Sequence, residues 1–225
     1  MYMQQSDFYG EIKRVVKSHS ATDNDFINRF SRGDISDEEF KRFSIEFYHF
    51  TREWPEILAK LLVSTENEND AYELTGILVS ELGSGDSGKR HELLYRRYLR
   101  SIGFKPEELV KREQLSTTKG WLDGMREYFS SDHAKALGAE FALENMAIPM
   151  WDKLLPGLKI MKERKYKDMD MLYFTFHREL ESTHEDAMEN VIGVHSNDQK
   201  EQFISSAKGM LDLEEKFWLG LADRK

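Results

Sequence analysis

Residues 174–185 have the sequence Phe174-Thr175-Phe176-His177-Arg178-Glu179-Leu180-Glu181-Ser182-Thr183-His184-Glu185. If this stretch is helical, His177, Glu181 and His184 fall within a stripe about 60° wide, because each residue advances the helix by about 100°. Apolar residues continue the stripe on both sides, at Phe174, Met188 and Val191. We therefore predict that two imidazoles and a carboxylate enter the core, where a metal ion is their natural partner. The alternative, a solvated polar face with two incidental histidines, leaves the apolar neighbours unexplained.

The remainder of the chain also favours helices. Only four prolines occur in 225 residues, and apolar residues recur at three and four positions rather than at two. Ser36 with Glu39, and Ser196 with Gln199, have the spacing of capping boxes. The predicted helices lie near 6–18, 22–32, 36–64, 68–82, 89–102, 107–113, 117–130, 132–164, 167–191 and 196–221. Pro149 and Pro156 should kink or divide the 132–164 segment. One all-α domain over residues 1–225 is the simplest arrangement.

Composition excludes several classes of function. The formal charge is 32 − 41 = −9, which argues against nucleic acid as a partner because phosphate binding needs a positive surface. The absence of cysteine excludes disulfides, thiolate metal sites and cysteine nucleophiles. No signal peptide is recognisable, and no apolar run approaches the roughly 20 residues of a membrane span. We expect a cytoplasmic protein that has no membrane partner.

Glu81 and His91 flank a glycine-rich break at residues 82–88. The break lacks the Gly-Lys-Ser/Thr ending of a phosphate-binding loop. It would allow the two side chains to converge from different helical segments. On their own, Glu81 and His91 are better explained as a solvated residue at a helix end and as part of the first turn of the next helix.

Two further carboxylates interrupt apolar helix faces. Glu144 lies among Leu137, Phe141, Ile148 and Trp151, and Glu140, one turn earlier, is the alternative to it. Glu53 lies on a face with Phe50 and Ile57, and Glu46 shares this face. A boundary residue with no role in metal binding explains either of the last two equally well.

Taken in order, Glu81, His91, Glu144 and His177-x3-Glu181-x2-His184 resemble the ligands of the haem-oxygenase-like diiron oxidases. That superfamily includes CADD-type proteins, fatty-acid decarboxylases that form terminal alkenes, and N-oxygenases of amino-acid metabolism. The resemblance extends from about residue 40 to about residue 188. Two positions depart from the family pattern. Glu181 stands where many members have Asp. Glu144 lies five residues before Pro149, where the pattern has four, so Glu140 remains the alternative ligand. Several members add a carboxylate that would match Glu53 or Glu46.

The resemblance implies a haem-oxygenase-like helical bundle and an O2-dependent oxidoreductase. It implies that the protein binds two iron ions, or one iron and one manganese ion. It also implies that O2 is the co-substrate with which a small organic molecule is oxidised. Hydroxylation, oxidative C–C cleavage and N-oxygenation all fit. Electrons would come from an external donor, because no flavin or nicotinamide motif is present. We expect the pocket to be lined by Phe47, Phe50, Trp54, Tyr95, Phe141 and Phe174. A homodimer is compatible with such a bundle.

Other interpretations stay open. Glu46-x2-His49 and Glu181-x2-His184 would form a ferritin-like diiron site, but His91 and His177 would then have no role. Thiaminase-type (TenA) and pyrroloquinoline-synthase-type (PqqC) relatives share the bundle without the metal, although thiaminases rely on a cysteine. A haem oxygenase would need a proximal histidine near the N-terminus, for which His19 is the only candidate. A helical interaction protein could use the basic residues Lys89, Arg90, Arg96, Arg97 and Arg100.

Overall fold

The part of the chain that the structure describes forms ten α-helices, as the helical periodicity of the sequence predicts. The computed structural model describes residues 2–191 and 197–222, without the side chains of residues 2–7 and 197. The helices are α1 (Tyr2–Lys17), α2 (Asp25–Ser31), α3 (Asp37–Val63), α4 (Glu68–Glu81), α5 (His91–Ser101), α6 (Pro106–Leu109), α7 (Ser116–Phe129), α8 (His133–Arg164), α9 (Leu172–Val191) and α10 (Asn197–Gly220). These residues contain no strand, and none of their helices has both the length and the apolar character to cross a bilayer. The all-α prediction is confirmed.

A capping box begins α3, as the sequence predicts. The Ser36 hydroxyl accepts a hydrogen bond from the Glu39 backbone N–H at 3.0 Å, and the Glu39 carboxylate accepts one from the Ser36 N–H at 2.9 Å. Arg29 of α2 also contacts this carboxylate, with 2.6 Å between Nη2 and Oε1. A cap of this kind stabilises a helix by about 1 kcal/mol. The second predicted box includes Ser196, which lies outside the described residues.

Helix α8 runs through the middle of the molecule and is not divided. Pro149 and Pro156 both lie inside it, so of the two predicted effects of these prolines, a kink or a division, the division does not occur. Helices α2, α7, α9 and α10 all pack against α8. This packing on several sides outweighs the local cost of a proline, which removes one backbone hydrogen bond.

Helices α8 and α10 approach each other closely at Gly138. A Cβ atom at this position would collide with the Phe203 carbonyl oxygen and the Ser206 hydroxyl. Trp218 lies further along α10 and stacks on Phe43 and Phe47 of α3, with ring centroids 6.2 Å apart in each pair. Helices α3, α8 and α10 thus enclose one aromatic core, and the candidate site lies beside it.

Candidate metal centre

Six of the predicted ligands meet in the core as two groups of three. The first group consists of Glu81, His91 and His177, and the second of Glu144, Glu181 and His184. Within each group, one nitrogen or oxygen atom from each residue lies within 4.8 Å of the others. All six side chains are buried. Helix α9 contributes to both groups, as the stripe at residues 177, 181 and 184 predicts.

The turn between α4 and α5 brings Glu81 and His91 together. Glu81 ends α4 and His91 begins α5. Gly83 in the turn has a φ of 92°, which favours glycine, and a Cβ there would collide with the Asp86 carbonyl oxygen. The chain therefore reverses within a few residues, and His91 Nδ1 lies 2.6 Å from Glu81 Oε2. The His91 imidazole outweighs the effect of burial and lowers the pKa of Glu81 to about 2.

His177 is oriented by its own helix. Its Nδ1–H donates a hydrogen bond to the Tyr173 carbonyl oxygen at 3.0 Å. The lone pair is then on Nε2, which lies 3.9 Å from Glu81 Oε1. Metal-binding histidines characteristically use one nitrogen in this way and leave the other for the metal. Burial and the neighbouring His91 lower the pKa of His177 to about 3, so this imidazole is neutral.

The second group pairs α8 with α9. His184 Nδ1 lies 3.2 Å from Glu144 Oε2 and 4.0 Å from Glu181 Oε2. Burial acts to lower the pKa of His184, but Glu144 and Glu181 outweigh it and raise that pKa to about 9. Burial and the charge of Glu144 hold the pKa of Glu181 well above its usual range. Without a metal, this group is therefore neutralised by protons.

Each group also has buried atoms with no hydrogen-bond partner. They are Nε2 of His91, Nε2 of His184 and Oε2 of Glu181. Unpartnered buried polar atoms are rare and call for a partner that the protein does not supply. Nitrogen and oxygen donors without sulfur suit Fe or Mn. The residues present therefore fit the metal ions that the sequence implies.

Glu140 does not belong to either group. Its side chain is fully buried, and neither carboxylate oxygen has a hydrogen-bond partner. Burial and the charge of Glu144, one turn later, hold its pKa well above the usual range. Of the two alternatives on α8, the structure therefore brings Glu144, and not Glu140, to the other donors.

The structure places Glu53 and Glu46 away from both groups. Glu53 pairs with Arg126 of α7 and accepts a hydrogen bond from Gln114 at 3.3 Å. Glu46 accepts one from the Leu115 backbone N–H at 3.1 Å. Both carboxylates therefore connect α3 with α7 and the segment before it. The structure therefore does not bring Glu53, which has cationic and amide partners of its own, to the six other predicted ligands.

The ferritin-like arrangement is not formed. His49 is buried and neither ring nitrogen has a hydrogen-bond partner, but it lies outside both groups. His91 and His177, which that arrangement leaves without a role, have ring centroids 4.1 Å apart. The structure therefore favours the six-residue set over the two Glu-x2-His motifs.

The remaining sequence candidates have ordinary structural partners. His19 is partly exposed; its Nδ1 accepts from the Ala21 N–H at 3.1 Å, and its Nε2 lies 3.3 Å from an Asp212 oxygen. Of the basic residues, Arg96 and Arg100 both pair with Glu107, and Arg97 pairs with Asp170. This positive face is therefore largely neutralised by the protein itself.

A cavity that is partly open to solvent adjoins the metal groups. Glu81, Glu144, His177, Glu181 and His184 line one part of it. Phe47, Phe50 and Trp54 line it as predicted, whereas Tyr95, Phe141 and Phe174 are buried elsewhere in the core. The predictions did not include Trp121, Trp151, Tyr173 and Glu214 among the lining residues. Of these, Glu214 had a usable signal, because it interrupts an apolar face formed by Leu211, Phe217 and Trp218.

Solved structures resemble this chain in fold. A CADD-like protein of unknown function from Nostoc punctiforme matches with a TM-score of 0.79 and 17% identity, over 97% of each chain. A domain of unknown function with a haem-oxygenase-like fold from Shewanella denitrificans matches with a TM-score of 0.74 and 16% identity, over 96% of this chain and 90% of that one. A TenA homologue from Pseudomonas syringae matches with a TM-score of 0.72 and 13% identity, over 97% and 91%. At these identities the likeness shows the fold alone, which is haem-oxygenase-like.

No curated protein matches the sequence. Residues 41–215, however, match the sequence profile of a family described as iron-containing redox enzymes. The matched region includes all six residues of the two groups and the whole of α3 to α9 apart from the first residues of α3. The chain therefore belongs to the iron-containing redox enzyme family.

Proposed function

We propose that this protein is an O2-dependent oxidoreductase that holds two iron ions and oxidises a small organic molecule in the adjoining cavity. The observation that carries the proposal is the presence of two buried groups, each with three nitrogen or oxygen donors, whose six residues all line one cavity except His91. Membership of an iron-containing redox family supports iron over other metals. Manganese in place of one iron is compatible with the same donors.

The six donors would bind the two metal ions, and neighbouring residues would orient them. Glu81, His91 and His177 would hold one ion, and Glu144, Glu181 and His184 the other. Bound iron would supply the electrons that reduce dioxygen, and an external donor would restore them. The hydrogen bond from His177 to Tyr173 fixes the tautomer of this ligand, and the Trp151 indole N–H fixes the orientation of Glu181 at 2.8 Å.

The cavity would keep water from the reacting groups. Phe47, Phe50 and Trp54 present aromatic surface next to the donors. An apolar lining excludes water and thereby limits side reactions of strongly oxidising species. Hydroxylation, oxidative C–C cleavage and N-oxygenation are all compatible with this arrangement.

The test is metal stoichiometry after anaerobic Fe(II) loading, followed by rapid mixing with O2 while absorbance is recorded. We expect two irons per chain in the wild type and an O2-dependent transient. His177→Ala and Glu144→Ala should each bind less iron and lose the transient, since each removes a donor from a different group. His49→Ala is the matched control, because it removes a buried histidine outside both groups.

Two outcomes would overturn the proposal. A wild type that binds no iron would favour a metal-free protein of the same fold. Loss of iron in His49→Ala but not in His177→Ala would select the ferritin-like arrangement instead.

A further inference from the structure

Glu214 is a buried carboxyl group that lines the cavity but belongs to neither metal group. It lies on α10, its residue is 1% exposed, and one of its two carboxyl oxygens, Oε2, has no hydrogen-bond partner. Trp218, one turn later on the same helix, is the neighbour that acts to lower the pKa of this carboxyl group. Burying a carboxyl group without a partner costs free energy, so such groups are uncommon in folded proteins. A buried carboxyl oxygen without a hydrogen-bond partner in a cavity wall is therefore a position that a ligand can complete.

A second unpartnered polar atom lies in the same wall. Trp121 of α7 is 1% exposed and lines the cavity, and its indole Nε1–H has no hydrogen-bond partner. Its ring packs on Phe217, one helical turn after Glu214, with ring centroids 4.5 Å apart. Helices α7 and α10 thus supply polar atoms that the metal groups, on α4, α5, α8 and α9, do not use.

The charge of the lining restricts the ligand. The described residues that line the cavity include four glutamates and no lysine or arginine. Phe50 stacks on Trp121 with centroids 4.7 Å apart, and Trp54 lies beside Phe50 at 5.4 Å. A carboxylate among aromatic rings suits an ammonium group, which the carboxylate binds by a charge-assisted hydrogen bond and the ring faces attract. An anionic group would find no lysine or arginine among the described residues of this wall, and the protonated imidazole of His184 already pairs with Glu144.

We propose that Glu214 binds the protonated amine of the substrate, so that the oxidised substrates are small organic amines with an apolar body. This inference rests on the proposed function, because it assigns the substrate class of that same cavity. Burial raises the pKa of Glu214 to about 8. Near neutral pH the free carboxyl group therefore holds a proton, which it releases to solvent as the ammonium group binds. No electron transfer takes part in this binding step.

Calorimetry with 2-phenylethylamine and 2-phenylethanol tests the proposal, because these probes differ in charge but hardly in size. The measurement is made at pH 7 on metal-free protein, in which the amine has no iron to coordinate, and repeated on Fe(II)-loaded protein without O2. We expect the amine to bind the wild type at least about tenfold more tightly than the alcohol, as close charge pairs do. Titration in two buffers of different ionisation enthalpy should show proton release with the amine only.

Glu214→Gln should abolish the preference for the amine while leaving the affinity for the alcohol within about twofold, which also shows that the cavity is intact. Glu215→Gln is the matched control: it makes the same charge change one residue away, at a side chain that does not line the cavity. It should retain the preference. No preference in the wild type, or an unchanged preference in Glu214→Gln, would overturn the proposal.

The two proposals fail separately. If the wild type loads two irons but does not prefer the amine, the assignment of Glu214 is wrong and the diiron function stands. If the amine binds through Glu214 but no iron is bound, the cation site stands and the diiron function falls. Glu214→Gln should still load two irons, since the residue lies outside both metal groups.

Discussion

The indole N–H of Trp151 donates a hydrogen bond to Oε1 of Glu181 over 2.8 Å and leaves Oε2 of that carboxylate 4.0 Å from Nδ1 of His184. Trp151 therefore sets the direction in which the Glu181 carboxylate presents its unpartnered oxygen. Partners of this kind, one step removed from a metal, typically change metal affinity by about 10–100-fold when they are removed.

Trp151→Phe should accordingly weaken metal binding at the second group by about 10–100-fold. Competitive titration with a chromophoric chelator would measure the change. Trp121→Phe is the control, because Trp121 is an equally buried cavity tryptophan whose indole N–H has no partner. Equal metal affinities in the two variants would show that the hydrogen bond to Glu181 does not contribute.

Glu53→Gln and Glu144→Gln should separate structure from metal binding. Glu53→Gln loses the charge that pairs with Arg126, so its free energy of unfolding should fall by about 1 kcal/mol while iron stoichiometry stays at the wild-type value. Glu144→Gln should lose iron from the second group. Elemental analysis and thermal melts give both readouts, and loss of iron in Glu53→Gln would restore this residue to the ligand set.

Metal affinity should rise with pH. In the metal-free protein the pKa of His184 is raised to about 9, so His184 holds a proton at pH 6–8. The pKa of Glu181 lies well above its usual range, so Glu181 keeps its proton to higher pH than a free carboxyl group does. A metal ion must displace these protons, and each proton released increases the apparent affinity about tenfold per pH unit. Zn(II) titrations at pH 6, 7 and 8 should therefore show a slope of log affinity against pH of about 1 or more. A flat profile would contradict this charge assignment.

Glu214 should make the protein less stable as pH rises. Burial raises its pKa in the folded state to about 8, from an ordinary value of 4.5. Between these two pH values the folded state holds a proton that the unfolded state has lost. The contribution of the Glu214 carboxyl group to the free energy of unfolding is therefore fully present below pH 4.5 and is lost as the pH rises through 8. The amide that replaces this carboxyl group in Glu214→Gln does not titrate in this pH range. The stability of this variant relative to the wild type should therefore increase from pH 5 to pH 8 by a few kcal/mol, which denaturant unfolding would measure. A constant difference would show that Glu214 is ionised in the folded protein.

Two glycine variants should have opposite effects on stability. Gly138→Ala places a methyl group against the Phe203 carbonyl oxygen, so α8 and α10 must move apart, at a cost of about 1–3 kcal/mol. Gly76→Ala, on an exposed face of α4, meets no atom within 4 Å. It should gain up to about 1 kcal/mol from helix propensity. Thermal melts compare the two variants, and a stable Gly138→Ala would mean that the α8–α10 spacing is adjustable.

Much of the fold and most of the candidate site could be predicted from periodicity. Polar residues that interrupt an apolar helix face, such as Glu144 and His177, indicate that the core contains something for them to bind. The capping box at Ser36 marks the start of α3 from sequence alone. These signals are local, because they depend only on residues within a few helical turns.

Contacts between residues that are distant in sequence could not be predicted. Glu53 and Glu144 have the same local pattern, but the partner of Glu53 is Arg126, 73 residues away, and no local spacing shows it. Distant partners also explain why Pro149 and Pro156 do not divide α8, since other helices pack against it. Glu214 is the opposite case, because its local signal is visible in the sequence: it interrupts an apolar face formed by Leu211, Phe217 and Trp218.

The six donors and the cation-binding carboxyl group lie on different parts of the chain. The donors all fall within residues 81–184, whereas Glu214 lies on α10. Substitutions in α10 can therefore change which molecule the cavity accepts without altering any metal ligand. During divergence from a common ancestor, such a division allows the substrate range of a lineage to change while its oxidising chemistry is inherited intact.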